Sequence, residues 1–470
     1  MNYYLAVDIG ASSGRHILAH LENGKIILEE VHRFQNGMVN KSGHLVWDHE
    51  ALFHEIILGM KKCKDLGRIP HSMGIDTWAV DYALLDENDN LLGPIYGYRD
   101  SRTQNIDQEV YKIISEENLY MRTGIQKQLF NTIYQLMAHK MEKDSRLHKA
   151  KSMLLVPDYF HFLLTGKKVA EYTNASTSQL VSPETKDWDY ELINQLGYPT
   201  EIFKEIKLPG SRLGSLRAEI QEQVGFDCQV VLPPTHDTAS AVVAVPDCGQ
   251  ENDFGKVLYI SSGTWSLMGT ELQEANCSKE SMQANLTNEG GYHYRFRYLK
   301  NIMGMWMINS ARKELAADMS FASICEQASS EQIESIVDVN ANRFLAPKSM
   351  VEEIKMACAE ASKQVPTDMS QVAAVIYNSL AKCYADTVKE IERIAGVNFD
   401  RIHVVGGGAN ASYLNQLTAR ACGIPVYAGP IEATALGNIV VQMIAAKELD
   451  SLRNARQCIF NSFEIKKYES

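Results

Sequence analysis

No run of about 18 or more apolar residues occurs among the 470 residues, so no membrane-spanning helix is expected. The opening Met-Asn-Tyr-Tyr-Leu-Ala-Val-Asp lacks a basic region followed by an apolar run, and no secretory leader is expected there. No two cysteines form a Cys-x-x-Cys pair. The nine stand scattered, at 63, 228, 248, 277, 325, 358, 383, 422 and 458. That pattern fits reduced thiols in the cytoplasm better than a disulfide framework or a zinc site. Blocks of Lys and Arg are also absent, and the formal net charge is −12 with a pI of about 5.6. Nucleic acid and anionic membranes are therefore poor partners. An anionic cofactor would need local positive groups, backbone N–H groups or a metal. The Walker-A pattern, Gly-x-x-x-x-Gly-Lys-Ser/Thr opening a helix, is missing as well.

What is present is ordinary globular material, 45% hydrophobic and 22% charged, with enough apolar residues for a core. The length calls for two large domains or three ordinary ones. Residues 3–8 read as a buried strand. The loop Ile9-Gly10-Ala11-Ser12-Ser13-Gly14-Arg15 follows, and Asn23-Gly24 then joins two apolar runs as a hairpin. The loop thus lies between strands, and it can be a plain turn or a backbone cradle for phosphate. An amphipathic helix over 48–66 has Asp48 as its N-cap. Residues 72–85 read as two short strands with a polar kink. There Trp78 lies between Asp76 and Asp81, either in a core or along a sugar pocket. Residues 98–102 (Tyr-Arg-Asp-Ser-Arg) read as solvated surface. Helices are expected over 132–143 and 158–164, within a mostly helical region from 104 to 245. The hydroxyl-rich 171–179 reads as a loop suited to polyols.

Residues 246–256 are the best linker candidate. After it, a strand over 257–260, the tip Ser261-Ser262-Gly263-Thr264 and a strand over 265–270 repeat the N-terminal device. That suggests duplication. A long helix over 369–395 leads to a strand over 402–405, then Gly406-Gly407-Gly408, then a helix over 411–421. A glycine run at a strand's end serves either a tight turn or close approach of a ligand to bare backbone. A short strand over 425–428 and a Gly/Ala-rich helix over 433–446 follow, and the tail 461–470 can pack or fray.

The chemistry centres on residues 233–240, Pro-Pro-Thr-His-Asp-Thr-Ala-Ser. Asp237 is either a turn residue that caps the next helix or a proton acceptor at the mouth of something packed. With two hydroxyl/Gly tips and a triple glycine, the set suits phosphoryl transfer, which needs positioning and charge neutralisation. Asp8 would hold Mg2+ through water, and Asp237 would take the proton of a substrate hydroxyl.

In order, Asp-Ile-Gly-Ala-Ser-Ser-Gly-Arg (8–15), His-Asp-Thr-Ala-Ser (236–240), Ser-Ser-Gly-Thr-Trp (261–265) and Val-Val-Gly-Gly-Gly (404–408) resemble the FGGY carbohydrate kinases. The likeness extends over nearly the whole chain, through Gly74–Trp78, Tyr98–Thr103, Asn131-Thr132, Pro157–Phe160, Glu171–Ala175 and Leu299–Gly304. It implies an α/β fold of two actin-like (ribonuclease H-like) domains around a central catalytic cleft. The sugar-binding domain would cover 1–245 and the nucleotide-binding domain 255–450. It implies ATP and Mg2+ as cofactors and a small-molecule ketose as partner, L-rhamnulose, phosphorylated at the hydroxyl beside its ketone. Fuculose, xylulose or ribulose are the alternatives, and a non-catalytic sugar or nucleotide sensor is a more distant one. By position the resemblance makes Asp237 the proton acceptor and places Asp8 and Asp237 at the metal. His236, Thr238 and Asn301 become sugar contacts. Ala11, Ser12, Ser13, Gly14, Arg15, Thr264, Gly406, Gly407 and Gly408 become ATP contacts. Two positions depart from the family pattern. Ala79 stands where a Gly lets the sugar approach the backbone, and Asn309 stands where a Gln is expected near the nucleotide. Oligomeric state, monomer or homodimer, is not legible.

Overall fold

The computed structural model describes residues 1–142, 145–247 and 256–470. Most of the expected linker, and Cys248 with it, lies outside the described residues. The eight described cysteines are free thiols. No described helix is long and apolar enough to cross a membrane.

The chain divides into two compact units: 1–244 with 272–298 and 434–462, and 245–271 with 299–433 and 463–470. The first is built on a six-stranded sheet. Its order is Arg212–Ser215, Gln229–Val231, Pro70–Thr77, Tyr3–Ile9, Ser13–Glu22, Lys25–Gln35. Strand Tyr3–Ile9 is central, and Tyr4, Leu5, Ala6, Val7 and Ile9 are all fully buried, as a strand covered on both faces requires. It runs antiparallel to Ser13–Glu22 and parallel to Pro70–Thr77. The expected hairpin forms, with Asn23 and Gly24 at φ of 51° and 76°, the left-handed pair that matches strand twist.

Helix His49–Asp65 covers this sheet. The Asp48 carboxylate accepts the Ala51 N–H at 3.0 Å, and Leu52, Ile56, Ile57, Met60 and Cys63 form its buried face. Gly59 lets it come close: a Cβ there would fall 2.2 Å from the His16 ring. A second core gathers Leu119, Ile133, Tyr134, Leu136, Leu155, Trp188 and Leu192, from the region expected to be mostly helical.

The hydroxyl-rich stretch departs from expectation. Residues 172–175 are a helical turn and 176–178 a 3-10 turn, and Glu171, Thr173 and Asn174 are fully buried. A buried carboxylate organises them. Glu171 accepts the Thr173 and Asn174 N–H groups and the Thr173 hydroxyl. That local capping is a tertiary choice that polarity alone does not announce. Residues 98–102 are solvated surface only in part, with Arg99 and Ser101 exposed. Asp100 is buried and accepts the Leu45 and Arg102 N–H groups. The Arg102 guanidinium lies over the Tyr96 ring and donates to Gln135.

The second unit repeats the plan. Val257–Ser262 is antiparallel to Trp265–Leu272 and parallel to Arg401–Val405, which is parallel to Val426–Ala428. The long helix Met369–Ala395 precedes the parallel step, as His49–Asp65 does in the first unit. The suspected duplication is thus visible in strand order. The tail packs, with Lys466–Tyr468 pairing antiparallel to Val426–Ala428.

Candidate active site

Sheet register builds the first half of the site. Asp8 is opposite Arg15 on one side and Asp76 on the other, so three charged groups share one row and one face. Arg15 donates from Nε and Nη2 to Asp8 Oδ2, at 2.9 and 2.8 Å. Asp76 is fully buried. Its Oδ2 accepts Asn438 Nδ2 at 2.6 Å, while its Oδ1 has no hydrogen-bond partner among the described residues. Burial pushes the Asp76 carboxyl well up, and the Asp8 charge adds to it.

Helix Ala433–Ala445 supplies the polar ladder beneath this row. Asn438 and Gln442 are four residues apart and so share a face. Gln442 Nε2 donates to Asn438 Oδ1 and to the Leu5 carbonyl, and the Ser72 hydroxyl donates to Gln442 Oε1.

Asp237 joins the row through the backbone. The Thr77 N–H donates to the Thr235 carbonyl at 2.9 Å, and Thr77 bridges to His236 in parallel. Asp237 is the first residue of helix Asp237–Val243. Its Oδ1 accepts the N–H and the hydroxyl of Thr238, at 2.6 and 3.1 Å. Asp237 is therefore not the cap of this helix: His236 holds that position and makes no side-chain capping bond, and the Asp237 side chain remains 33% exposed, open to a substrate. Surrounding protein raises its pKa, the Asp8 charge adds to that, and His236 and the Thr238 donors oppose it. A base must be ionised to accept a proton. With Asp237 as the base, kcat/KM should therefore fall as pH drops through this raised value, its acid limb above the ~4 of an ordinary carboxyl. A kcat/KM–pH profile, with protein stability followed alongside, checks this.

His236 and Thr238 are both buried. Thr235 donates its N–H and hydroxyl to Glu171 Oε2, and the His236 N–H lies 3.4 Å from Thr173 Oγ1. The turn 171–175 thus anchors the segment that carries Asp237.

Ala79 lies in the kink between Pro70–Thr77 and Tyr82–Leu85. Val80 beside it has φ of 68°, a strained conformation for a β-branched residue. The Thr132 hydroxyl holds the Val80 carbonyl at 2.7 Å. Trp78 stacks on Trp47 with centroids 3.8 Å apart. Asp81 pins both indoles: Oδ2 accepts Trp47 Nε1, Trp78 Nε1 and the Tyr98 N–H, and Oδ1 accepts Gln135. Burial pushes the Asp81 carboxyl up to about 6, with those donors opposing it.

At the N-terminal tip, the Gly10 N–H closes onto the Ser13 carbonyl at 2.9 Å. Ala11 and Ser13 are half-buried and Ser12 is exposed. Gly14 has a packing reason: a Cβ there would strike the Phe34 ring at 2.1 Å.

In the second unit, Thr264 is exposed at the tip between Val257–Ser262 and Trp265–Leu272. Its carbonyl accepts the Trp306 N–H, and the Gly263 carbonyl accepts the Met305 N–H. Helix Trp306–Leu315, which carries Asn309, therefore starts on the tip. Asn301 lies on strand Phe296–Met303, and its Oδ1 has no hydrogen-bond partner among the described residues. The three glycines differ. Gly406 has φ of 83°, and a Cβ on Gly408 would fall 1.9 Å from Ser262 Oγ. Gly407 is exposed, has no such φ and would meet only the Ser262 carbonyl, at 4.0 Å. Turn geometry and packing account for the first and third glycines, and only Gly407 leaves bare backbone without a local reason. Thr264, Asn309 and the glycine loop thus share one neighbourhood around Ser262.

Asp8 and Asp237 suit magnesium by chemistry, since it asks for hard oxygens from one or two carboxylates. Sequence reading singled out the stretches that hold Glu171 and Thr235 but missed Asn438, Gln442, Glu289 and Arg297. Each of these four meets a partner from a distant segment, Asn438 and Gln442 the strands of the first sheet and Glu289 and Arg297 the His236 ring, so no local signal marks it.

Residues 3–244 match the model of the N-terminal domain of the FGGY family of carbohydrate kinases, and 258–446 match its C-terminal domain. The chain belongs to this family. Among relatives named rhamnulokinase, one from Oceanobacillus iheyensis is 50% identical over 464 residues, 99% of this chain and 97% of the relative. One from Halalkalibacterium halodurans is 50% identical over 470 residues, 100% of this chain and 99% of the relative. The Bacillus subtilis one is 43% identical, over 98% of this chain and 94% of the relative. The fold matches that of solved xylulose and glycerol kinases. A ligand-bound xylulose kinase from Lactobacillus acidophilus superposes with a TM-score of 0.80 at 18% identity, over 100% of this chain and 94% of that one. Glycerol kinase from Plasmodium falciparum, with ADP, gives 0.76 at 14% identity, over 99% and 94%. The expected actin-like α/β fold holds.

Proposed function

We propose that this chain phosphorylates L-rhamnulose with ATP and magnesium, at the hydroxyl beside the ketone. The observation that carries the substrate is the full-length identity of 50% to relatives named rhamnulokinase. Asp237 accepts the proton of that hydroxyl as the phosphoryl group is transferred. Its exposed carboxylate is fixed by Thr238 and by the anchored 235–238 segment, so the oxygen is aimed before substrate arrives. His236, Thr238 and Asn301 contact the sugar, and Ala79 forms part of its wall. The tip Ala11–Gly14, Arg15, Thr264, Asn309 and Gly406–Gly408 contact the nucleotide. Asp8 and Asp237 hold magnesium, which neutralises phosphate charge when bound.

A coupled ADP-release assay with magnesium, ATP and L-rhamnulose, L-fuculose, D-xylulose and L-ribulose tests this. The expected result is a kcat/KM for L-rhamnulose at least about 10-fold above the others, the scale of one well-placed polar contact. A preference for another ketose would move the substrate and leave the chemistry. No turnover on any of them would overturn the kinase reading.

A further inference from the structure

Behind Asp237 lies a buried charged pair that the proposed chemistry does not use. Arg297 is fully buried. Its Nε donates to the Gly290 carbonyl at 2.9 Å, and its Nη2 lies 3.0 Å from both His236 Nδ1 and Glu289 Oε2. His236 Nδ1 also lies 3.4 Å from Glu289 Oε2, and its Nε2 lies 3.5 Å from Asp237 Oδ1.

The guanidinium decides which nitrogen of His236 holds the proton. Arg has five N–H donors and no acceptor. At 3.0 Å, His236 Nδ1 must therefore present its lone pair, because an N–H there would face another N–H. A neutral imidazole with a bare Nδ1 carries its hydrogen on Nε2, the nitrogen that faces Asp237. Glu289 is already held low: burial works against its ionised form, but the neighbouring Arg297 and His236 together outweigh it.

We infer that Arg297, balanced by Glu289, is a positioning residue that fixes His236 as the neutral Nε2–H tautomer. His236 then presents its one N–H toward Asp237, 3.5 Å away, and the substrate oxygen beside it, and is not a second base. The inference rests on Asp237 as the base. It places the specificity of this step two residues behind the reacting atoms, where the Nε2–H aims the carboxylate.

Side-chain 15N NMR of the histidines in the full chain tests it without catalysis, with a His236→Asn spectrum to assign the signal. The expected wild-type pattern is Nε2 protonated and Nδ1 bare. Arg297→Met should move the proton to Nδ1, toward Glu289, and lower kcat by about 10–100-fold, as loss of a supporting partner does. The KM for ATP should stay within about twofold. Arg297→Lys, still only a donor, should keep the wild-type tautomer and recover part of kcat. Arg297→Met leaves Glu289 buried and unpaired, and can fail to fold. Arg297→Met/Glu289→Met removes both charges, and should give a mixed tautomer with the same loss of kcat. A wild-type Nδ1–H, or full kcat in a folded double variant, would overturn the inference. Failure of Asp237 as the base would appear separately, as turnover by an Asp237 variant, with the tautomer unchanged.

Discussion

Asp237→Asn lowers kcat by about 10²–10⁴-fold, the range that a positioned general base contributes, and leaves the affinity for ATP within about twofold. Asn keeps the size of the side chain and an oxygen for the Thr238 N–H, which sits 2.6 Å from Oδ1. The start of helix Asp237–Val243 is therefore retained, and only the ability to take a proton is lost. Steady-state ADP release with L-rhamnulose reads the loss, and calorimetric titration of ATP reads the binding. Normal turnover in this variant would remove Asp237 from the chemistry. The acid limb of the wild-type profile belongs to the same group, so the residual activity of Asp237→Asn should be flat across that limb.

Gly437→Ala should be the most damaging single methyl group in the first unit. A Cβ at Gly437 would fall 1.8 Å from the Ser240 carbonyl oxygen and 2.5 Å from its carbon. These are backbone atoms of helix Asp237–Val243, and the Ser240 hydroxyl is itself tied to the Pro234 carbonyl at 2.7 Å. No rotamer change relieves such a clash, so the helices must separate. Overpacking of this kind costs about 1–3 kcal/mol, and more where backbone must move. The shift carries Asp237 with it, and drags on Asn438 beside the glycine. The variant should show a melting temperature lower by several degrees together with a lower kcat. Gly24→Ala has open space around it and strains only a turn, so it should lose some stability and no kcat. If Gly437→Ala retains both wild-type values, the close crossing of the two helices is not as described.

Much of the fold is written locally. The Asn23-Gly24 turn, the Asp48 cap and the helix Met369–Ala395 follow from turn chemistry, capping and apolar spacing, and each forms where that chemistry places it. The repeat of tip and strand was legible because the same hydroxyl/Gly device occurs twice. The buried carboxylates were not legible in the same way. Residues 171–178 are polar, and polarity reads as surface. They are inside because Glu171 takes donors from its own turn and from Thr235, 64 residues on. Asp100 misled for the same reason: it accepts from Leu45, a partner that adjacent residues do not reveal.

The glycines mark the boundary most clearly. The sequence announces that Gly406, Gly407 and Gly408 have a reason, but not which. Only the approach of Ser262 separates a glycine required by packing from the one whose backbone is left bare. By itself the sequence determined most of the elements, their order and the family, because those reside in local spacing and in motifs of contiguous residues. The tertiary structure alone decided that Arg15, Asp8 and Asp76 form one row, that Asn438 lies beneath it, and that Arg297 faces His236. Those are matters of strand register and of packing between distant segments. A one-residue slip of register would turn each of these side chains to the opposite face, and nothing near them in the chain records which register holds.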